Sequence, residues 1–374
     1  MSVAAHLPRP TFLVLPLSQT TSGRRELPIG LIGPGRVGQA LLRQIQRQAQ
    51  PLLKQRGLTL NLRGVLSRKQ MWLDCDDPAL NSRLDGAQTW RPAHLDEFVR
   101  HVQKEEAPVA LVDCSGQDIV ADRYSTWLAQ GIHVVTPSKL AGSGDLKRWE
   151  DIQGASRLGG HFRYETTVGA GLPVIQPLND LMATGDELLE VDGMLSGTLA
   201  WLCHRMDGKR PFSDWLREAH AQGYTEPDPR DDLSGLDVAR KLVILARTAG
   251  HPLTLDQVRI ENLVPEPLRH VPLPVFLDRL HELDGHWHAR FWDAHRERKA
   301  LRHVAHWDPD GGARVELQAL PDDHPFARSR STDNVIQFRT ERYREAPMII
   351  QGPGAGPEVT AAGLFAEVLR LADL

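Results

Sequence analysis

The chain has 374 residues, of which 41% are hydrophobic, enough for two domains of ordinary size or for one large domain that carries an insertion. Its 44 basic and 48 acidic residues are spread along the sequence and give a formal net charge of -4, which excludes a basic face for nucleic acid and an acidic tail. We therefore expect a small-molecule partner.

Cysteine use and hydropathy indicate the compartment. Cys75, Cys114 and Cys203 are odd in number, far apart and in no Cys-x-x-Cys pattern, which is typical of reduced thiols in a cytoplasmic protein without disulfides or structural zinc. The apolar run at residues 12–17 is interrupted by Pro16 and is too short to cross a bilayer. The 16 histidines are dispersed and show no metal-ligand spacing. We predict a cytoplasmic protein that does not contact membranes.

Strand-like and helix-like segments alternate from residue 27 to about residue 160, a pattern typical of a parallel sheet with helices on both faces. The predicted strands are residues 27–32, 60–66, 109–112 and 133–136, and the predicted helices are residues 37–48 and 119–130. This region is predicted to form an α/β domain over residues 27–163.

A second pattern begins at residue 164, where glycine turns and longer helices dominate. The helix predicted at residues 237–249 lies between Ser234 and Gly250, which are plausible start and stop signals. The C-terminal stretch returns to a glycine turn followed by an apolar helix at residues 359–371. We therefore predict an α+β domain over residues 164–347 that is inserted into the first, whose chain resumes over residues 348–374.

A glycine turn follows the first predicted strand. Gly33-Pro34-Gly35-Arg36-Val37-Gly38 opens a predicted helix, the context in which Gly-x-Gly-x-x-Gly indicates dinucleotide binding. Gly33 permits the tight turn, Gly35 lets the backbone approach the pyrophosphate, and Gly38 lets the helix pack close to the strand. The N-terminus of that helix, at Arg36 and Val37, favours anionic phosphates.

The end of the second predicted strand bears on the choice of cofactor. An acidic residue there would bind the ribose of NAD, but the sequence reads Ser67-Arg68-Lys69, and two cations with a hydroxyl suit the 2′-phosphate of NADP. A solvated basic turn is the alternative. We predict NADP or NAD as cofactor, with NADP favoured and Arg68 as the phosphate ligand.

An acid and an amine share one face of the helix that begins near Ser234. Asp237 and Lys241 are four residues apart, and Glu226 lies on the loop that leads in. In one interpretation, Asp237 merely caps the helix and pairs with Lys241 at the surface. Against it, Val238 and the apolar run at residues 242–245 predict a largely buried helix, in which an unneeded ion pair is costly. Spacing alone leaves the two interpretations about equal.

Residues 223–242, which read Gly-Tyr-Thr-Glu-Pro-Asp-Pro-Arg-Asp-Asp-Leu-Ser-Gly-Leu-Asp-Val-Ala-Arg-Lys-Leu, closely resemble the signature of homoserine dehydrogenases. Four further segments agree in the expected order: the turn at Gly33, residues 136–139, residues 164–173, and the turn at residues 352–356 with the Val-Thr-Ala-Ala-Gly motif at residues 359–363. The resemblance is strongest with the dehydrogenase half of bifunctional aspartokinase/homoserine dehydrogenases. It implies a Rossmann-type dinucleotide-binding domain with an inserted catalytic and dimerisation domain, and a homodimer.

The resemblance also implies an activity and a set of roles. The activity is NAD(P)H-dependent reduction of L-aspartate 4-semialdehyde to L-homoserine, in threonine, methionine and isoleucine biosynthesis. Lys241 is implied as the proton donor, with Lys139 also facing the reacting oxygen, and Glu226 and Asp237 as substrate ligands. The remaining implied ligands are Ser115, Lys139, Gly223 and Gly356 for the cofactor, and Glu165, Val168, Ala170 and Leu172 for a structural, sodium-like cation held mainly by backbone carbonyls.

The sequence departs from the family pattern on the nicotinamide side, at Ser138, Leu140 and Gly116-Gln117.

Two other functions compete with the main one. An aspartate semialdehyde dehydrogenase needs a nucleophilic cysteine, and a cofactor-binding sensor predicts loss of the lysines, which are retained. Only about 26 residues precede the first predicted strand, so we also expect no regulatory module and no inhibition by threonine.

Overall fold

The computed structural model describes residues 25–73, 90–104, 108–329 and 332–374, and its contacts divide the chain into two compact units. The first unit contains the described residues up to Val135, together with Glu150–Arg163 and Phe365–Leu374, and the second contains Thr136–Trp149 and Tyr164–Leu364. The second unit thus interrupts the chain of the first, which agrees with the predicted fold class; the predicted domain boundaries stay predictions. Cys75 and the apolar run at residues 12–17 lie outside the described residues. In the described part of the chain, no helix combines the length and apolarity needed to span a membrane.

The described residues of the first unit build a seven-stranded sheet in the order β4-β3-β2-β1-β5-β6-β7. The strands are β1 (Arg25–Ile32), β2 (Leu58–Leu66), β3 (Gln70–Leu73), β4 (Arg91–Pro92), β5 (Ala110–Asp113), β6 (His133–Val135) and β7 (Phe162–Arg163). Strands β2, β1, β5, β6 and β7 are adjacent in that order and parallel. Strands β3 and β4 extend the sheet beyond β2 with antiparallel pairing. Because β1, β2 and β5 run in the same direction, the loops after Ile32, Leu66 and Asp113 leave the same edge of the sheet, where ligands bind in such folds.

The helices of the first unit are α1 (Arg36–Arg56), α2 (Leu95–Val102), α3 (Asp118–Ala121) and α4 (Tyr124–Ala129). Helix α1 is longer than predicted, since it passes through Pro51 and ends where Gly57 adopts the left-handed conformation with φ 59°. A proline removes only one helical hydrogen bond, and burial of Leu52 favours the continuation. The helix predicted at residues 119–130 is instead two short helices, because the Arg123 N–H turns back to the Val120 carbonyl.

His133 is a buried histidine in the sheet of the first unit. Burial lowers its pKa to about 4, helped by the charges of His161 and Arg163, and its Nδ1 accepts a hydrogen bond of 2.9 Å from the His161 N–H. The folded pKa lies below that of an unfolded histidine, so the unfolded chain binds the extra proton and stability is lost as the pH falls through about 6.5 toward 4.

We expect this histidine to remove about 1 kcal/mol of the free energy of unfolding between about pH 7.5 and about pH 5.5. His133→Asn keeps an acceptor near the position of Nδ1 but has no proton to gain, so this variant should lose correspondingly less stability. Urea unfolding at the two pH values measures the difference. The exposed His286 provides the control, and a pH dependence for His133→Asn as steep as that of His286→Asn would contradict the assignment.

The described residues of the second unit build a six-stranded, mainly antiparallel sheet in the order β13-β12-β8-β10-β11-β9. The strands are β8 (Leu188–Met194), β9 (Val258–Ile260), β10 (Lys299–Asp308), β11 (Gly312–Pro321), β12 (Asp333–Thr340) and β13 (Met348–Pro353). Gly193 pairs with both Ala305 and Ile336, and Ala305 pairs with Val315, so these four positions lie on one face of the sheet. The turn before α11 packs on this face, since a Cβ placed on Gly235 would lie 3.4 Å from Val315.

The helices that lie in the second unit, or begin in it, are α5 (Leu140–Ser143), α6 (Leu146–Ser156), α7 (Ile175–Ala183), α8 (Gly197–Arg205), α9 (Phe212–Ala221), α10 (Pro229–Leu233), α11 (Leu236–Thr248), α12 (Leu273–Asp278), α13 (Asp284–Arg296) and α14 (Pro357–Leu371). Helices α6 and α14 pass into the first unit. A buried cluster joins α8, α9 and α13, where Phe212 stacks on Trp287 with ring centroids 4.0 Å apart. In α11, the residues from Leu242 to Arg247 are buried, which agrees with the prediction of a largely buried helix.

Candidate active site

Helix α11 presents a carboxylate and an amine one turn apart. Asp237 lies in its first turn, and its Oδ2 is 2.9 Å from the Nζ of Lys241. The capping interpretation of Asp237 does not describe the structure. Gly235 occupies the N-cap with φ 72°, and the Ser234 hydroxyl accepts from the N–H of Leu236, so the Asp237 carboxylate is left for the lysines.

Lys139 reaches the same carboxylate from another part of the chain. It immediately precedes the short helix α5, which packs closely on α11: a Cβ placed on Gly142 would lie 2.8 Å from Cγ1 of Ile244. Arg247 also donates to the Gly142 carbonyl at 3.0 Å. This docking sets the register of the two helices, and the Nζ of Lys139 lies 3.1 Å from Oδ1 of Asp237.

Two ammonium groups therefore share one carboxylate. Burial lowers the pKa of Lys241, and the like charge of Lys139 lowers it further, while Asp237 opposes the shift. Burial would raise the pKa of Asp237, but the charges and hydrogen bonds of the two lysines outweigh it and hold that pKa well below its usual range. The Lys241 side chain is 12% exposed, and its Nζ also donates to the Leu195 carbonyl at 2.6 Å. An ammonium has three N–H groups, so these two described acceptors leave one for a substrate oxygen.

Carboxylates flank the two lysines. The Oδ1 of Asp232 accepts from the Thr198 hydroxyl and its Oδ2 accepts from the Glu226 N–H, both at 2.8 Å. Burial raises the pKa of Asp232 to about 6, and the charges of Glu226 and Asp237 add to this, although the two hydrogen bonds oppose it. The Glu226 side chain is exposed. This arrangement favours a cationic group on the substrate.

Three of these groups were missed at the sequence level: Asp232, Thr198 and the Leu195 carbonyl. Asp232 lies within the segment that carries the family resemblance, but nothing in its spacing separates it from Asp231. Thr198 and Leu195 belong to another part of the chain, and only the packing of α8 on α10 and of β8 on α11 identifies them.

The loop at residues 165–172 contains the four residues implied for the cation. The Glu165 carboxylate is buried and accepts from the N–H groups of Val174, Ile175 and Gln176, at 2.6, 2.6 and 2.8 Å. It therefore stabilises the start of α7. Ala170 has φ 54°, an uncommon conformation for a residue other than glycine, and so the loop has a defined shape.

The glycine turn of the first unit has the shape that the motif predicts. Gly33 has φ 84°, and a Cβ there would lie 2.6 Å from the Ser115 N and 2.7 Å from the Cys114 carbonyl carbon. Gly35 is the N-cap of α1, and no described atom lies within 4 Å of its Cβ position, so that side is open for a ligand. Gly38 is buried inside the first turns of α1.

The other predicted cofactor residues lie at defined places. Arg36 and Val37 form the first turn of α1. Ser115 follows β5 beside Gly33, and its N–H donates to Asp113 at 2.7 Å. Arg68 is exposed in the turn between β2 and β3, at the sheet edge where Gly33 donates to the Leu66 carbonyl at 2.8 Å. In the second unit, Gly223 follows α9 and Gly356 precedes α14, and both are exposed.

The described cysteines do not fit a nucleophilic mechanism. Burial raises the pKa of Cys114 far above its usual value, with a further contribution from Asp113, and burial raises the pKa of Cys203 to about 11. A thiol that stays protonated is a poor nucleophile. The cysteines among the described residues therefore argue against the aspartate semialdehyde dehydrogenase alternative.

One group outside the lysine site resembles a metal centre. Ligand-type atoms of Glu190, Asp192 and His306 lie within 4.8 Å of one another. Both ring nitrogens of His306 are hydrogen-bonded, Nδ1 to Asp192 and Nε2 to Asp308, each at 2.7 Å. Burial lowers the pKa of His306, but these two carboxylates outweigh it and raise the value overall. Hydrogen bonds to carboxylates occupy both ring nitrogens of His306, so we assign this cluster a structural role.

Two family models match the chain, one described as homoserine dehydrogenase over residues 173–369 and one described as homoserine dehydrogenase, NAD binding domain, over residues 33–165. The chain is 42% identical to the chloroplastic bifunctional aspartokinase/homoserine dehydrogenase 1 of Zea mays over 96% of its own length, but it spans only 39% of that protein. It is 34% identical to a homoserine dehydrogenase of Schizosaccharomyces pombe, over 94% of this chain and 96% of the relative.

Solved structures show the same fold. A Candida auris protein of unknown function has a TM-score of 0.85 at 35% identity, over 93% of this chain and 98% of that chain. A hyperthermophilic archaeal homoserine dehydrogenase in complex with NADPH has a TM-score of 0.69 at 24% identity, over 92% and 97%.

Proposed function

Because the chain belongs to the homoserine dehydrogenase family, we propose that it reduces L-aspartate 4-semialdehyde to L-homoserine with NADPH or NADH. The observation that carries the proposal is the pair of lysines on one carboxylate, with Lys139 at 3.1 Å and Lys241 at 2.9 Å from Asp237. This pair offers a proton and positive charge at one place, which is what an aldehyde oxygen needs as it becomes an alcohol. The step would serve threonine, methionine and isoleucine biosynthesis.

The lysines have distinct tasks in this proposal. When bound, the reduced cofactor supplies the hydride for the aldehyde carbon. Lys241 donates its proton to the substrate oxygen, since burial and Lys139 lower its pKa and so ease the transfer. Lys139 stabilises the negative charge that develops on that oxygen. Asp237 holds both ammonium groups in place and prevents their mutual repulsion from separating them.

Carboxylates recognise the amino-acid end of the substrate. Glu226 and Asp232 are joined by a 2.8 Å hydrogen bond from the Glu226 N–H to the Asp232 carboxylate. Their charges suit the α-ammonium group, and Asp237 completes this electronegative side. Glu226 and Asp237 keep the substrate-binding role that the family resemblance implies, and Asp232 joins them.

The glycine turns suit the cofactor. The open side of Gly35 and the N-terminus of α1 at Arg36 and Val37 would hold the pyrophosphate, with Gly33 and Gly38 shaping the turn. In the second unit, Lys139, Gly223 and Gly356 would approach the nicotinamide end; Ser115 in the first unit has the same proposed role. The backbone carbonyls of Glu165, Val168, Ala170 and Leu172 would hold a sodium-like cation, as oxygen ligands suit a hard ion.

Assembly and location complete the proposal. We propose a homodimer formed through the second unit, supported by the edge strand β13, in which Ile349 is 43% exposed and an edge of unpaired backbone is available. We propose a cytoplasmic location, supported by the free thiols of Cys114 and Cys203.

The direct test is the oxidation of NADPH and NADH by the purified protein in the presence of aspartate semialdehyde. Oxidation that depends on this aldehyde and yields homoserine supports the proposal. A protein that binds the cofactor but reduces no aldehyde would instead be the sensor considered above.

Arg68→Ala should raise the KM for NADPH about tenfold or more and leave the KM for NADH nearly unchanged, because only NADPH carries a 2′-phosphate for the guanidinium to bind. Initial rates with each cofactor at saturating aldehyde measure the effect. Arg47→Ala, at an exposed position in the middle of α1, serves as the matched loss of charge. Equal changes for the two cofactors would show that Arg68 does not contact the phosphate.

A further inference from the structure

The loop between α9 and α10 carries Glu226, and hydrogen bonds at successive residues define its path. The Tyr224 carbonyl accepts from the Thr198 hydroxyl at 2.7 Å, and the Glu226 N–H donates to the Asp232 carboxylate at 2.8 Å. These two bonds hold the backbone on either side of Thr225. The contact that holds Thr225 itself comes from a side chain that has no role so far in the proposed function.

His220, in the last turn of α9, supplies this contact. Its Nδ1 lies 3.0 Å from Oγ1 of Thr225. The Thr225 hydroxyl in turn donates to the Glu226 carbonyl at 2.8 Å. A hydroxyl has one proton and a carbonyl can only accept, so the Thr225 oxygen is left to accept a hydrogen bond from the His220 ring. The three groups therefore form a relay that runs from the His220 Nδ1–H through the hydroxyl to the Glu226 carbonyl.

The direction of this relay defines which ring nitrogen of His220 carries a proton. Nδ1 must carry one in order to donate, and it does so in the charged imidazolium and in one neutral tautomer alike. The relay therefore needs the N–H but not the charge. A charge effect is the alternative explanation, because Arg230 holds the pKa of Asp228 below its usual range and the charge of His220 contributes to this shift.

We propose that His220 is a positioning residue for the substrate, an inference that rests on the proposed function. Through Thr225 it orients Glu226, and so it sets the affinity for the α-ammonium group. Pro227 disfavours helical backbone at Glu226, and the bonds to the N–H and the carbonyl of Glu226 then define the direction in which its side chain leaves the loop. Lys241 lies on α11, outside this loop, so proton transfer does not depend on the relay.

The test is steady-state kinetics of His220→Ala with aspartate semialdehyde and NADPH. We expect the KM for the aldehyde to rise about fivefold, with kcat and the KM for NADPH within about twofold of the wild type, because a partly exposed hydrogen bond contributes modestly. His220→Asn keeps an N–H near the position of Nδ1 without the charge, and it should restore the KM. His295→Ala, in the last turn of α13, is the matched control and should change none of these constants.

Two more variants test the path of the relay. Thr225→Val removes the hydroxyl at nearly unchanged shape and should raise the KM for the aldehyde as His220→Ala does, and the double variant should be no worse than either single one. In a Glu226→Ala background, loss of His220 should change the KM by less than about twofold, because the side chain that the relay orients is gone.

Hydrogen exchange provides a readout that needs no substrate. The backbone amides of residues 224–226 should exchange faster in His220→Ala than in the wild type or in His220→Asn, because the loop loses one of its anchors. This readout separates the two proposals. A wild type that reduces no aspartate semialdehyde would refute the proposed function, whereas equal exchange in His220→Ala and the wild type would refute the relay.

Three kinetic results would also overturn the inference. A KM that His220→Asn fails to restore would assign the effect to charge near Asp228. A fall in kcat at unchanged KM would mean that His220 does not act on substrate affinity. An effect of the same size in the Glu226→Ala background would mean that His220 acts on a group other than Glu226.

Discussion

Lys241→Ala is expected to lower kcat about a thousandfold and to leave the Kd for NADPH within about twofold of the wild-type value. The Lys241 ammonium is the group that combines burial, a bond to Asp237 and a remaining N–H for the substrate. Its loss removes the general acid but no contact to the pyrophosphate turn. Steady-state rates with aspartate semialdehyde, together with cofactor titration, measure both quantities.

Two controls sharpen the result. Lys241→Arg keeps the positive charge but cannot release a proton near neutral pH, so it should also be strongly impaired if proton transfer is the task of Lys241. Lys209→Ala removes an exposed lysine and should retain full activity. Turnover of Lys241→Ala close to that of Lys209→Ala would remove Lys241 from the mechanism.

Asp237→Asn is expected to lower kcat/KM about a hundredfold and to move the basic limb of its pH profile to lower pH. Burial and the charge of Lys139 lower the pKa of Lys241, and Asp237 is the main group that opposes this. Without the carboxylate the pKa of Lys241 falls further. Lys241 acts in its protonated form, so the activity that depends on the ammonium is lost at a lower pH than in the wild type.

The measurement is kcat/KM across the pH range, with thermal unfolding of the variant to verify its fold. Asp231→Asn is the matched control, because it neutralises an exposed carboxylate nearby in the chain that contacts neither lysine. A basic limb that stays in place, or that moves to higher pH, would show that Asp237 does not set the protonation of Lys241.

Local sequence determined the parts of this protein that depend on short-range geometry. The glycine turn at Gly33 needs a left-handed residue between a strand and a helix, and its spacing is readable because all three glycines belong to one turn. The pair formed by Asp237 and Lys241 is likewise local, since a spacing of four residues places both on one helix face. The alternation of strand-like and helix-like segments is also visible in short stretches of sequence, and it predicted the parallel sheet of the first unit.

Only the tertiary structure decided which distant groups join them. Lys139 meets Asp237 because Gly142 allows α5 to approach Ile244 of α11, a contact that no periodicity reveals. Asp232 becomes a site residue through its bond from Thr198, which lies on another helix. The physical reason is that burial and long-range packing, which set pKa values and unsatisfied polar groups, depend on segments far apart in the sequence.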